Sequence, residues 1–259
     1  MQPGGYIMKE VRYNEILKTL ESQEVVKVTD LVSQLNVTDM TIRRDLQELE
    51  EDGLLIRTHG GARSIPSPLT DEQELSHMIK KKMNPAEKQY IARIIAKNIK
   101  ENDTVFLGSG STIELVYDYL TVNHAKIITN SIYVFEKFKH DNRFELLMTA
   151  GSYRPKTGSF IGTIAKEFIS NINVRKAFIG VNGINNHSVF NAHEEEGVIQ
   201  KSILNNSHEK FIVADYTKFN KADFYNFYDL RDIDYLITDN KITEEDYKTY
   251  SAWVTIKNE

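Results

Sequence analysis

Tyr13, Ile16, Leu17 and Leu20 recur at i, i+3, i+4 and i+7, the spacing of one face of an amphipathic helix. A short β-favouring run, Val25 to Val28, follows it. Thr29-Asp30 then offers an N-cap to a second, short helix with Leu31, Val32 and Leu35 inward. Asn36-Val37 makes a turn, and Thr38 caps a third helix predicted to reach about Asp52 and to stop at Gly53. Ile42, Leu46 and Leu49 share its buried face. Leu54-Leu55-Ile56 reads as a strand, and Gly60-Gly61 as the tight tip of a hairpin. Three short helices and a hairpin within sixty residues predict a winged helix-turn-helix over 8–63.

Beyond Asn84 the period changes. Short apolar strands are predicted at Thr104–Leu107, Lys126–Thr129, Glu145–Ala150, Lys176–Val181, Lys210–Ala214 and Tyr235–Thr238. Helical patterns lie between them, near Ser111–Leu120, Ile132–His140, Gly162–Ile172 and Glu194–Leu204. That alternation predicts parallel βαβ units with helices on both faces, over 85–259. Residues 64–84, with Pro66 and Pro68 followed by a polar helical stretch ending in Lys80-Lys81-Lys82, read as a linker. Met1 to Ile7 fit no pattern and read as an extension, with Met8 a plausible start.

Composition changes this picture in two ways. There are no cysteines among the 259 residues and seven scattered histidines. Disulfides, thiolate chemistry and cysteine-ligated zinc are therefore excluded, and neither a metal nor another cofactor is expected. No apolar run approaches the ~20 residues that span a bilayer, and no leader opens the chain, so a cytoplasmic protein with no membrane partner is expected. The net charge of −5 is awkward for a nucleic-acid binder. Residues 8–64 are themselves acidic, with eight Lys and Arg against eleven Asp and Glu. What matters is where those charges sit. With Ile42 inward, the 100° helical step puts Met40, Arg44 and Gln47 within about 40° of directly outward, with Arg43 and Thr41 flanking. Glu48, Glu50, Glu51 and Asp52 crowd the far end. A recognition helix enters the major groove by its leading residues, so this segregation is compatible with DNA. The bland alternative is that both arginines are solvated and paired with Glu48 at helical spacing.

In the second region, ligands of an open parallel sheet bind beyond the C-terminal ends of its strands. Gly108-Ser109-Gly110-Ser111-Thr112 is such a strand-to-helix turn, rich in glycine and hydroxyls, and suits an anion. It is no P-loop, since no Gly-Lys-Ser/Thr follows, and no dinucleotide fingerprint, since Ile113 stands at the third glycine position. Asn130, Arg154 and Lys218 lie just past other strand ends, with Lys201 on the helix before the last of them.

One block is specific. Thr41-Ile42-Arg43-Arg44-Asp45-Leu46, then Gly53-Leu54, then Arg57-Thr58-His59-Gly60-Gly61-Ala62, together with Arg12, Ile16, Val28, Leu31, Leu35, Val37 and Leu49, resemble the DNA-binding domain of the DeoR family. Thr38 stands where that family usually has serine. The resemblance spans nearly the whole chain, and the family's C-terminal domain is similar to sugar-phosphate isomerases of the ribose-5-phosphate isomerase kind. It implies an α/β fold class: a winged helix-turn-helix plus a parallel-sheet α/β domain. It also implies a transcriptional repressor that binds double-stranded operator DNA as a homo-oligomer, dimer or tetramer, and that answers to a phosphorylated sugar. DNA contacts would come from Thr38, Met40, Thr41, Arg43, Arg44, Gln47, Arg57 and His59. Effector contacts would come from Gly108, Ser109, Gly110, Ser111, Thr112, Asn130, Arg154, Lys201 and Lys218. Asp39 to Arg44, Phe160-Ile161-Gly162 and the segment from Lys218 to Phe227 look most like the lactose phosphotransferase repressors, a subfamily induced by tagatose 6-phosphate. Ala150 replaces the first glycine of the family's usual pair.

Two alternatives stay open: an active isomerase with an attached DNA-binding module, and an activator. Isomerisation needs a carboxylate base. The related isomerases carry Asp-Gly-Ala-Asp and Lys-Gly-x-Gly-Gly, and neither occurs here. The strand that ends Gly180-Val181-Asn182-Gly183 has no carboxylate. Asp215 and Glu195 remain as acids, though Glu194-Glu195-Glu196 more simply opens a helix. His193-Glu194 has no partner cluster for a metal. A receptor without catalysis is the expectation.

Overall fold

A computed structural model describes residues 8–51, 54–64 and 74–259. The expected extension 1–7, the helix stop at Gly53 and the Pro66 to Pro68 hinge lie outside the described residues. The chain divides into two compact units, Met1–Ser67 and Pro68–Glu259.

In the first unit, α1 (Lys9–Gln23), α2 (Val28–Leu35) and α3 (Asp39–Glu51) pack around Ile16, Leu20, Leu31, Leu35, Ile42, Leu46 and Leu49, each at most 3% exposed. The periodicity anticipated those positions. Asn36 ends α2 in the left-handed conformation at φ 51°, ψ 46°, a region that asparagine tolerates, and so sharpens the turn into α3. Thr38 starts α3 by accepting the Thr41 amide at 3.3 Å. Strands β1 (Val25–Lys27), β2 (Ile56–Thr58) and β3 (Gly61–Arg63) form an antiparallel sheet in the order β1-β3-β2. His59 and Gly60 are the two-residue tip of the β2–β3 hairpin, with Gly60 at φ 95°. Gly61 lies against β1, where a Cβ would fall 2.0 Å from the Val26 carbonyl oxygen. The wing therefore requires glycine there.

The pair that ties α1 to α3 is Arg12 with Asp45. The guanidinium donates from Nε to Asp45 Oδ2 at 2.7 Å and from Nη2 to Oδ1 at 2.9 Å, and both residues are buried. Asp45 in the Arg43-Arg44-Asp45-Leu46 run thus has a structural job that periodicity alone assigns to an apolar residue.

The second unit is a seven-stranded parallel sheet, in the order β15-β14-β12-β9-β4-β5-β6. Its strands are β4 (Thr104–Leu107), β5 (Ala125–Thr129), β6 (Phe144–Met148), β9 (Val174–Gly180), β12 (Ser207–Val213), β14 (Tyr235–Ile237) and β15 (Thr255–Lys257). The near-continuous apolar runs expected of strands covered on both faces are there. Val105, Leu107, Phe178, Phe211 and Ile237 face one core with α5 (Pro85–Asn98) and α6 (Ile132–Phe138). Phe106, Ala177, Ile179, Ile212 and Leu236 face the other, with α7 (Thr163–Ser170), α8 (Glu194–Asn205) and α9 (Glu244–Tyr250). All six expected strands are present, and the expectation of helices on both faces holds.

Several elements were not anticipated. They are helices α5 and α9, the hairpin β7 (Ser152–Arg154) and β8 (Ser159–Ile161), the small antiparallel sheet of β10 (Gly183–Asn185), β11 (Ser188–Asn191) and β13 (Tyr225–Asp229), and β15. The expected helix Ser111–Leu120 is a 3-10 helix confined to Ile113–Tyr119. The polar stretch before Met83 is helical as expected, as α4 (His77–Lys82) with Ser76 capping the Ile79 amide, but it does not behave as a linker, because Glu74 and His77 are buried in the second unit. Among the described residues no helix is long and apolar enough to cross a membrane.

Candidate DNA-binding face and effector pocket

On α3, Met40 is 80% exposed, Arg43, Arg44 and Gln47 are exposed, and Thr41 is half-buried. The face computed from the helical step is the face the structure presents. Both arginines are engaged. Arg43 Nε donates to Asp39 Oδ1 at 2.5 Å, and Arg44 Nε to Glu48 Oε1 at 3.1 Å. The Arg43 partner is thus Asp39, not Glu48. These are surface pairs, with side-chain exposures of 52% and 80% on the arginines, and such pairs are worth about 0–1 kcal/mol. A phosphate can replace either carboxylate at little cost. Glu48 is held at its place by Lys9, Tyr13 and Arg44, which lower its pKa to about 2. Its charge is thereby turned partly toward α1 rather than toward solvent. Arg57, His59 and Arg63 are exposed on the wing. The backbone amide of Arg57 donates to Glu50 Oε1 at 2.8 Å, which fixes the start of the wing to the end of α3.

In the second unit the strand order reverses between β4 and β9, since β4, β5 and β6 run outward one way and β9, β12, β14 and β15 the other. Such a reversal opens a crevice at the strand C-termini. A pocket lies there, lined by Ser109, Gly110, Ser111 and Thr112 after β4, Gly180, Val181 and Asn182 after β9, and Ala214 and Asp215 after β12. Gly110 takes φ 151°, which a side chain would strain, and it leads into the 3-10 helix. The anion-binding capacity of this loop therefore rests on its hydroxyls and backbone rather than on the dipole of a long helix.

Four expected effector residues, Ser109, Gly110, Ser111 and Thr112, line the pocket. The other five do not. Gly108 ends β4 and packs on Phe178 and Ile179. Asn130 is buried, with its amide 3.4 Å from the Phe160 carbonyl. Lys201 is exposed on α8. Lys218 is half-buried near Asp215 and Lys88. Arg154 departs most from expectation. It is 7% exposed, and its guanidinium is spent on Glu74 (Nη2 to Oε2, 2.8 Å), Glu196 (Nη1 to Oε1, 3.4 Å) and Thr157 (3.2 Å). Two carboxylates have been brought to it by distant segments, which its place after a strand could not reveal.

The pocket also gathers Glu74, His77, Lys80, Asn182, Glu196 and Gln200, none of them among the expected effector contacts. Lys80 Nζ donates to Glu74 Oε1 at 2.6 Å and to Asn182 Oδ1 at 3.2 Å, so the lysine run is not simply solvated. Glu194 and Glu195 are exposed as a helix opening predicts, but Glu196 is buried and accepts from Ser159 at 2.6 Å and from Thr157. His77 is buried, donates from Nε2 to Glu114 Oε2 at 2.6 Å, and stacks on Tyr133 at 3.8 Å. Lys88, whose ammonium is held by the carbonyls of Lys80 and Met83, is pushed down to about 8 by burial. Burial opposes the charge of Asp215, but Lys218, Thr217 and Lys88 outweigh it and keep its pKa low.

Comparison with known proteins supplies the family. Residues 12–67 match the DeoR-like helix-turn-helix domain, and residues 83–240 match the DeoR C terminal sensor domain. The chain belongs to the DeoR family. Among its relatives, the lactose phosphotransferase system repressor of Lactococcus lactis subsp. lactis is 39% identical over 96% of this chain and 98% of its own. The protein of the same name from Streptococcus mutans is 38% identical over 89% of this chain and 92% of its own. Solved structures overlap more loosely. Ribose 5-phosphate isomerase A of Methanocaldococcus jannaschii covers 52% of this chain and 55% of its own at 18% identity and a TM-score of 0.37, too low to bear on function. As a DeoR-family protein with both domains, the chain is a DNA-binding repressor of sugar genes.

Proposed function

We propose that this repressor grips double-stranded operator DNA with α3 and the wing, and lets go when a phosphorylated sugar enters the switch-point pocket. The single observation that carries the DNA half is the outward face of α3. Met40, Thr41 and Gln47 would meet base edges there, Arg43 and Arg44 guanine edges or phosphate, and Thr38 the backbone at the helix start. Arg57 and His59 reach from the wing to phosphate or minor groove. A homo-oligomer, dimer or tetramer, presents two such faces at half-site spacing. The work would be done in the cytoplasm.

The effector half rests on the loop Ser109–Thr112, whose hydroxyls line the pocket at the point where the strand order reverses. The phosphate would sit on that loop. Tagatose 6-phosphate is the first sugar to try, given the resemblance to lactose phosphotransferase repressors. For release, the sugar must favour the DNA-incompetent state by a coupling of about 1–3 kcal/mol.

The carboxylates in the pocket favour one rival, an active isomerase. Glu196 and Glu74, however, are tied to Arg154, and Asp215 to Thr217 at 3.0 Å through its amide. A base must be open to a carbon-bound proton. The receptor reading therefore predicts no turnover in a coupled assay with ketose and aldose phosphates.

The test is a thermal-shift panel of sugar phosphates repeated as gel shifts on operator DNA. A ligand at a hundred times its dissociation constant stabilises by about 2.7 kcal/mol. Gly110→Val should hold operator DNA as the wild type does and lose release by that sugar. Normal release from Gly110→Val would move the effector site elsewhere.

A further inference from the structure

Three donors from separate parts of the second unit converge on one carboxylate. Lys80 Nζ stands 2.6 Å from Glu74 Oε1, Arg154 Nη2 2.8 Å from Oε2, and Asn182 Nδ2 3.4 Å from Oε1. A lysine, an arginine fork and an amide around one anion are what a protein presents to a ligand carboxylate or phosphate. Lys80 and Asn182 also line the pocket beside the loop Ser109–Thr112. The anion now in that cradle is the chain's own, and its side chain is 1% exposed.

Where Glu74 comes from matters. It lies eleven positions after Arg63, the last residue of the wing strand β3, and it begins the run that continues into α4. That run is pinned behind it by the His77 amide, which donates to the Lys156 carbonyl at 2.8 Å, while the Lys80 amide closes the first turn of α4 on the Ser76 carbonyl at 2.9 Å. If the anion of an effector took over Lys80 and Asn182, Arg154 would keep Glu196 as a counter-charge at 3.4 Å. The exchange therefore leaves no buried charge unmatched.

We propose that Glu74 is a resident counter-ligand, whose carboxylate fills the anion cradle of Lys80, Arg154 and Asn182 until an anionic effector displaces it. This rests on the reading that the pocket takes a phosphorylated sugar. Occupancy of the pocket then breaks contacts that only the empty form makes, which is a differential contact of the kind any ligand-driven switch needs. It also fixes a cost: while Glu74 is docked, the competent fraction is small and apparent affinity falls in proportion.

The experiment is isothermal titration of the full-length protein and of Glu74→Gln with inorganic phosphate and with a panel of hexose phosphates. Removing the competitor should tighten binding by about tenfold or more, and Lys80→Met placed on top of it should remove the gain. Equal or weaker binding by a folded Glu74→Gln overturns the proposal. Should Glu74→Gln fail to fold, hydrogen exchange on the wild type decides. The amides of His77 and Lys80 should exchange faster with saturating ligand, and slower or unchanged exchange overturns the idea. The two readings fail separately. Sugar-driven operator release without a gain in Glu74→Gln sinks the counter-ligand alone. A gain for inorganic phosphate, with no sugar phosphate releasing operator, sinks the effector reading and leaves the cradle standing.

Discussion

On the outward face of α3 the charged side chains stand in water, while in the pocket of the second unit they stand in protein. Arg44 is 80% exposed with a single carboxylate partner on its own helix. The Arg154 side chain is 8% exposed, and the side chains of its partners Glu74 and Glu196 are 1% and 4% exposed. The first arrangement costs little to break, so it suits a surface that must exchange its partners for phosphates again and again. The second is expensive to open, because each buried charge is solvated only by the others. Such a network holds one arrangement until a ligand supplies an equivalent set of contacts. One molecule thus uses the same residue types for two tasks, separated by burial alone.

The comparison breaks most visibly inside the first unit, which also contains one buried pair. Arg12→Met leaves the Asp45 carboxylate without its fork, and removing one partner of a buried pair costs about 3–5 kcal/mol. Native-state hydrogen exchange of α1 and α3 amides should fall accordingly in protection, while the second unit stays as it was. Arg12→Met with Asp45→Leu should recover most of the loss. If Arg12→Met alone leaves protection intact, burial is not what gives this pair its weight.

The next effect sharpens the cost of a buried charge. Burial lowers the Lys88 pKa from 10.5 to about 8, so the fold favours the neutral amine. Between those values the unfolded chain holds a proton that the folded one has lost, and stability rises with pH across that window and is flat below it. Relative to Lys88→Met, the wild type should gain up to roughly 3 kcal/mol from pH 8 to 10.5. Trp253 fluorescence in denaturant titrations follows this unit. Parallel pH profiles for the two proteins would show that the ammonium is well solvated.

Burial also explains which parts were legible beforehand. The apolar runs of β4, β5, β9, β12 and β14 declare themselves because both faces of the sheet are covered, so consecutive positions along the covered part of each strand are apolar. Glycine at 60 and threonine at 38 announce backbone needs that are local. By contrast, β10, β11 and β13 span three to five residues and are strands only through one another. The glycine loop was visible as a turn after a strand. Its companions were not, since Lys80 meets Asn182 across 102 positions and Arg154 meets Glu196 across 42. Placing Arg154 after a strand end located the turn correctly. It could not say that two carboxylates would arrive first.

On the exposed side, Arg44→Ala should weaken operator binding by about 1–3 kcal/mol if the guanidinium pairs bidentately with a base. Its effect on thermal stability should stay within about 0.5 kcal/mol, since only a surface pair with Glu48 is lost. Gel shifts against operator and scrambled DNA separate base reading from charge. An equal loss on both would make Arg44 a phosphate contact.

The smallest expected effect belongs to the wing. Arg57 is exposed, and its backbone amide, rather than its side chain, holds β2 to Glu50. Arg57→Gln should therefore leave the fold untouched and lower affinity alike for every DNA sequence. A single phosphate contact changes the slope of log affinity against log salt by about one, and that slope is the quantity to measure. Binding at 50 and 200 mM salt is sufficient. A slope equal to that of the wild type would take Arg57 off the DNA and leave α3 to carry the contact, in line with the concentration of cationic charge at its exposed leading end.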